Sequence, residues 1–81
     1  MFKVGDVVSF YPKTMVSIIS LTSDLFLGEN VNFVFNKDLV YKHKVTSIKM
    51  GTKNVDFAKA GSVVGLKLNE KVQEGTEVFK S

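Results

Sequence analysis

Eighty-one residues, 44% of them hydrophobic and 23% charged, with a formal net charge of +3, describe one small folded domain and exclude a disordered or fibrous chain. Cysteine is absent and histidine occurs once, which rules out disulfide frameworks, thiolate nucleophiles and cysteine-based zinc sites and argues against any metal or other cofactor. Thirteen Val, seven Phe and five Thr stand against two Ala, six Leu and one Gln, so the expected fold class is all-β, with residues 1–81 as a single domain.

Period-2 runs bounded by turn residues predict six strands. The first, Val4–Tyr11, follows a start in which Gly5 and Asp6 interrupt any signal peptide, which points to the cytoplasm. Pro12, Lys13 and Thr14 turn the chain into a second strand, Met15–Leu21. Ser23-Asp24 is the next turn signal, and a third strand runs over Val31–Phe35. Asn36-Lys37-Asp38 turns into a long fourth strand, Leu39–Met50, where Val45 and Ile48 both read as inward though three apart, so a bulge is expected near Thr46 or Ser47. Asn54 to Ala60 reads as a connecting loop, and Val63–Leu68 and Glu77–Lys80 complete the set. No stretch approaches the ~20 apolar residues of a membrane span. The predicted core is Val7, Val16, Ile18, Val31, Phe33, Val45, Ile48, Val64, Leu66 and Val78.

A regularity cuts across these strands. An apolar residue, a Gly three positions on and a Val three further on recur at Phe2/Gly5/Val8, Leu25/Gly28/Val31, Ala58/Gly61/Val64 and Val72/Gly75/Val78. Tight turns with positive φ at Gly5, Gly28, Gly61 and Gly75 are the physical reading, each anchored by the apolar residue before it. Gly65, inside a Val-rich strand, predicts a bend or a close approach of a neighbouring strand. Gly61→Val and Gly65→Val are each expected to cost more than about 1 kcal/mol, with Ser81→Val as a silent control.

The blocks Val4-Gly5-x-Val7, Leu25-x-x-Gly28-Glu29-x-Val31, Val45-x-Ser47-Ile48, Ala58-Lys59-Ala60-Gly61-x-x-Val64-Gly65-Leu66 and Val72-x-Glu74-Gly75-x-x-Val78 resemble, in that order, the second domain of the translational GTPases. Elongation factor Tu and initiation factor two carry such a domain, and short free-standing elongation factor-like proteins resemble it more closely still. That resemblance implies a single six-stranded closed β-barrel and a binding platform that contacts tRNA or ribosomal RNA. The chain departs from the factors at Tyr11-Pro12-Lys13-Thr14-Met15, which lacks the glycines they carry in that turn. GTP binding is excluded because no G-x-x-x-x-G-K-[ST] loop is present, and Asn36-Lys37-Asp38 reads as a turn and not as a guanine reader.

The basic excess is confined to one segment. Residues 37–53 hold Lys37, Lys42, Lys44, Lys49 and Lys53 against Asp38 alone. With Tyr41 and His43 interleaved, these seven residues are the candidate nucleic-acid-binding set, and solubilising lysines on an exposed strand are the competing explanation. Alternation puts Lys42 and Lys44 on one side of the strand and Tyr41 and His43 on the other. His43 sits between lysines with no carboxylate within two positions, so it reads as a surface or packing residue, and no catalytic residue is expected. Two functions follow: a non-catalytic translation-associated module on tRNA or ribosomal RNA, or a protein-interaction module docking on a partner enzyme. Similar barrels close the C-terminus of collagenase-like peptidases, some relatives of which act in RNA modification.

Overall fold

The computed structural model describes residues 2–80, so Ser81, the control position, lies outside the described residues. Ten strands and no helix occur among them: β1 (Phe2–Tyr11), β2 (Val16–Leu21), β3 (Leu25–Phe26), β4 (Asn30–Phe35), β5 (Asp38–Lys44), β6 (Ile48–Met50), β7 (Lys53–Val55), β8 (Phe57–Ala58), β9 (Val63–Lys67) and β10 (Glu77–Lys80). The all-β expectation holds. A six-stranded closed barrel does not: eight strands form one antiparallel sheet in the order β5-β4-β10-β1-β2-β9-β6-β7, and β3 pairs with β8 beside it. No ladder joins β5 to β7 among the described residues, so the large sheet is open.

The expected fourth strand explains the difference. Instead of bulging at Thr46 or Ser47, it breaks there, and β5 and β6 lie toward opposite ends of the ladder with only Val45, Thr46 and Ser47 between them. The four Cα–Cα steps from Lys44 to Ile48 span at most roughly 14 Å, so the sheet must curl until its ends approach. The Cα radius of gyration, 11.1 Å, is that of a compact 81-residue chain, for which about 12 Å is typical. The segment expected as a loop, Asn54 to Ala60, instead carries part of β7 and all of β8.

Three of the four repeated motifs are one device used three times. Phe26-Leu27-Gly28-Glu29, Lys59-Ala60-Gly61-Ser62 and Gln73-Glu74-Gly75-Thr76 each close an N–H to C=O bond from fourth to first residue, at 3.2, 3.1 and 3.1 Å. Their glycines have φ of 90°, 93° and 86°, the geometry of a type II turn. Each turn then grips a strand residue with two backbone bonds. Gly28 donates to Val45 and Val45 to Glu29; Gly61 donates to Leu21 and Leu21 to Ser62; Gly75 donates to Val7 and Val7 to Thr76, all at 2.8–2.9 Å. Both the gripped residues and the flanking Leu25, Val31, Ala58, Val64, Val72 and Val78 are buried in one core. Gly5 is the exception, since it lies inside β1 at a register shift and is not a turn glycine. A Cβ there would run into the backbone oxygen of Ser20 and lie 3.2 Å from Leu21 Cα, so β1 and β2 can pair this closely only because Gly5 has no side chain.

The core contains eight of the ten residues expected, joined by Val4, Ile19, Leu21, Leu25 and others. Val16 and Ile18 are the two corrections. In β2 the buried phase is Ser17, Ile19 and Leu21, while Val16 and Ile18 point outward and are only half-buried. Val16-Ser17-Ile18-Ile19-Ser20-Leu21 is apolar in both phases, so its alternation could not choose the inner face.

Candidate docking face

Strand pairing assembles the outward residues of four strands into one surface. Ser9 pairs with Ile18, Ile18 with Gly65, and Gly65 with Lys49, a row that crosses β1, β2, β9 and β6. The adjacent row pairs Tyr11 with Val16 and Val16 with Lys67. Directly paired residues share a face, so the absence of a side chain at Gly65 leaves a hollow in that surface. A Cβ built there would sit 3.3 Å from Val16 Cγ1, 3.7 Å from Ile18 Cδ1 and 3.9 Å from Lys49 Cβ, so three neighbouring side chains already wall the space. The hollow opens into a groove of about 420 Å³ that Tyr11, Thr14, Ser47 and Lys67 also line. Gly65 therefore admits side chains, whereas the close backbone approach anticipated for it occurs at Gly5.

A second groove adjoins the first, sharing Ser47 and Lys67 and adding Tyr41, Lys42, His43, Lys44, Thr46 and Asn69. Neither lining contains a carboxylate. Among the described residues the ion pairs are Lys3 with Asp6 and Glu77 and Lys80 with Glu29, so Lys42, Lys44, Lys49 and Lys67 have no acidic partner.

The expected seven-residue set is thus divided. Lys42 and Lys44 are exposed on β5, opposite Asn32 and Asn30 of β4. Lys37, with φ of 68°, sits beside Asn36, with φ of 51°, in the tight turn between β4 and β5. Lys49 and Lys53 lie on β6 and β7, toward the other end of the ladder. Tyr41 and His43 face inward. His43 is 8% exposed, and its ring meets Phe33 edge-on at 6.3 Å, while Tyr41 packs against the same Phe33 at 5.8 Å. The Tyr41 hydroxyl accepts from the Asn69 N–H at 3.1 Å and bonds His43 Nδ1 at 2.9 Å. With His43 neutral, the hydroxyl can donate to an unprotonated Nδ1 or accept from a protonated one, since its oxygen can accept a second bond beside that from Asn69. Burial lowers the His43 pKa from its ordinary 6.5 and favours that neutral form. The His43 ring is buried and the Tyr41 ring is half-buried against Phe33, which weakens the aromatic half of the nucleic-acid pattern.

Sequence reasoning did not identify Val16, Ile18, Tyr11, Gly65 and Lys67 as surface-site residues. The one available signal was the doubly apolar phase of β2.

No family model matches this sequence. An uncharacterized protease of Methanocaldococcus jannaschii aligns at 36% identity over 77 residues, which is 95% of this chain. The chain spans 19% of that relative's length. Two crystal structures of the C-terminal domain of a Geobacillus thermoleovorans protein titled a U32 peptidase superpose on it. One has a TM-score of 0.91 at 16% identity and covers 99% of this chain and all of its own; the other has 0.89 at 16% and covers 99% and 92%. The chain has the fold of that domain. These findings correct the resemblance to elongation factor Tu and initiation factor two, and with it the translation and RNA-binding assignment. The blocks that carried the resemblance are type II turns and core positions, which specify how strands connect and not what the surface binds.

Proposed function

We propose that residues 1–81 form one non-catalytic docking domain, whose β2–β9–β6 outer face packs on a larger polypeptide related to the remainder of the archaeal protease. The observation that carries this reading is the alignment: nearly the whole chain corresponds to about a fifth of a protease, and it superposes on a C-terminal domain of another protein. The other four fifths are where proteolytic chemistry would reside, and a domain joined to them presents a face to them. The non-catalytic part is supported by His43, whose burial favours the neutral ring, and by a chain without cysteine. A cysteine-free, lysine-rich chain fits a reducing compartment, so we place it in the cytoplasm.

Capture from ribonuclease-treated extract of the source organism, with the bound proteins identified by mass spectrometry, tests the reading. Recovery of a polypeptide homologous to the unmatched part of the archaeal protease is the expected result. Loss of all such recovery overturns it, as does peptide hydrolysis by the purified chain alone.

A further inference from the structure

Resting on the docking reading, we propose that the groove over Gly65 seats an apolar side chain of the partner, and that carboxylates flanking that side chain on the partner segment pair with Lys49 and Lys67. The apolar part follows from the walls: Val16 Cγ1, Ile18 Cδ1 and the Lys49 stem stand 3.3–3.9 Å from where a side chain at Gly65 would begin. A depression walled by side chains in this way can take one inserted side chain, the arrangement that concentrates binding energy in an anchor. The acidic part follows from charge. Lys49 and Lys67 line this groove, Lys42 and Lys44 the adjoining one, and no carboxylate among the described residues neutralises them. Four such ammonium groups beside an apolar hollow complement a segment that alternates an apolar residue with Asp or Glu. By contrast, the open depression between Phe10, Pro12 and Val72 carries Lys71 and Glu74 together and shows no preference of sign.

The choice of a polypeptide over a nucleic acid rests on the same residues. Val16, Ile18 and Gly65 offer a pit and not a flat platform, and the His43 ring is buried while the Tyr41 ring packs half-buried against Phe33. A buried position also explains why Val16 and Ile18 read as core from sequence: they are shaped to be covered, by a partner instead of by this chain's own sheet.

The probe is a short synthetic peptide with a central Leu flanked by Asp and Glu, compared with the same peptide carrying Lys in place of the acids, each titrated against the folded chain by amide NMR. Shifts at Val16, Ile18, Lys49, Gly65 and Lys67 with the acidic peptide alone are expected. Gly65→Ala fills the pit and Lys49→Glu reverses the rim, and each should weaken binding by about tenfold or more. Lys49 is exposed, so its variant remains informative if Gly65→Ala fails to fold. Equal shifts with both peptides, no shifts, or displacement of the peptide by unstructured RNA would overturn the proposal. The two levels separate cleanly. Capture of the protease-related partner equally well by the parent, Gly65→Ala and Lys49→Glu overturns the groove and leaves docking intact, whereas groove shifts without any partner capture overturn docking.

Discussion

The apolar surface around Phe26 and that around Gly65 differ in what surrounds their cations. Around Phe26 the chain satisfies itself. Phe26 stacks on Phe57 with ring centroids 4.7 Å apart, and Lys80 Nζ stands 5.6 and 6.0 Å from the centroids of Phe2 and Phe26. The same ammonium donates to the Asp24 carbonyl at 3.0 Å and to both Glu29 oxygens at 3.1 and 3.3 Å. Around Gly65, beside Val16 and Ile18, Lys49 and Lys67 meet no acid among the described residues. Exposed hydrophobic area alone therefore does not distinguish a structural patch from a docking patch. The pairing state of the neighbouring charges does, because an ammonium already held in an ion pair gains little from a new partner.

The sharpest way to break this contrast uses two glycines. Gly5 and Gly65 both sit inside strands, but a Cβ at Gly5 meets backbone, whereas at Gly65 it meets movable side-chain carbons. Gly5→Ala is expected to cost about 3 kcal/mol or more, since β1 and β2 would have to separate. Gly65→Ala should cost under about 1 kcal/mol, because Val16 has to yield by only a few tenths of an ångström. Thermal unfolding reads both. Equal losses would mean that the Gly65 hollow is needed for folding and is not a site kept open for a partner.

Lys80→Met and Lys49→Met test the charges next. Lys80 and Glu29 side chains are only 18% and 27% exposed, so removing the ammonium leaves a partly buried carboxylate without its counter-ion, held by the Phe26 N–H at 2.8 Å. A loss of about 1–2 kcal/mol is expected, without effect on partner capture. Lys49→Met should leave stability within about 0.5 kcal/mol of the parent and reduce capture. The reverse pattern would exchange the roles of the two patches.

Sequence and structure agree where one physical constraint acts alone. Gly28, Gly61 and Gly75 were legible as turns because positive φ selects glycine, and β10 was legible over its whole length, Glu77–Lys80, because a single alternation fits it. Agreement fails where two constraints meet. Val16 and Ile18 satisfy strand alternation as well as Ile19 and Leu21 do, and only pairing with β9 decides which set faces in. Leu39–Met50 reads as one strand because β propensity continues through Val45, while the bonds of Val45 to Gly28 and Glu29 that end β5 come from residues far away in sequence. The groove was invisible for the same reason, since four strands build it and no one of them carries its signature.

The smallest effect belongs to His43, which lies between the two regimes: its backbone is on the lysine-bearing strand but its ring is in the core. Burial lowers its pKa from 6.5, so the unfolded chain binds a proton more readily than the folded one. The stability it contributes is therefore complete above that value and is lost as pH falls through the lower folded-state pKa. Protonation also fixes an N–H on Nδ1 facing the Tyr41 hydroxyl, which then accepts from both His43 and Asn69. Melting curves between about pH 7 and pH 5 should show a declining midpoint for the parent, with His43→Gln declining less, because Gln has no proton to take up in this range. Lys49→Met, far along the ladder, should follow the parent's slope. A parent slope unchanged by His43→Gln would mean that other groups govern the acid side of stability and that the ring is solvated more than its 8% exposure implies.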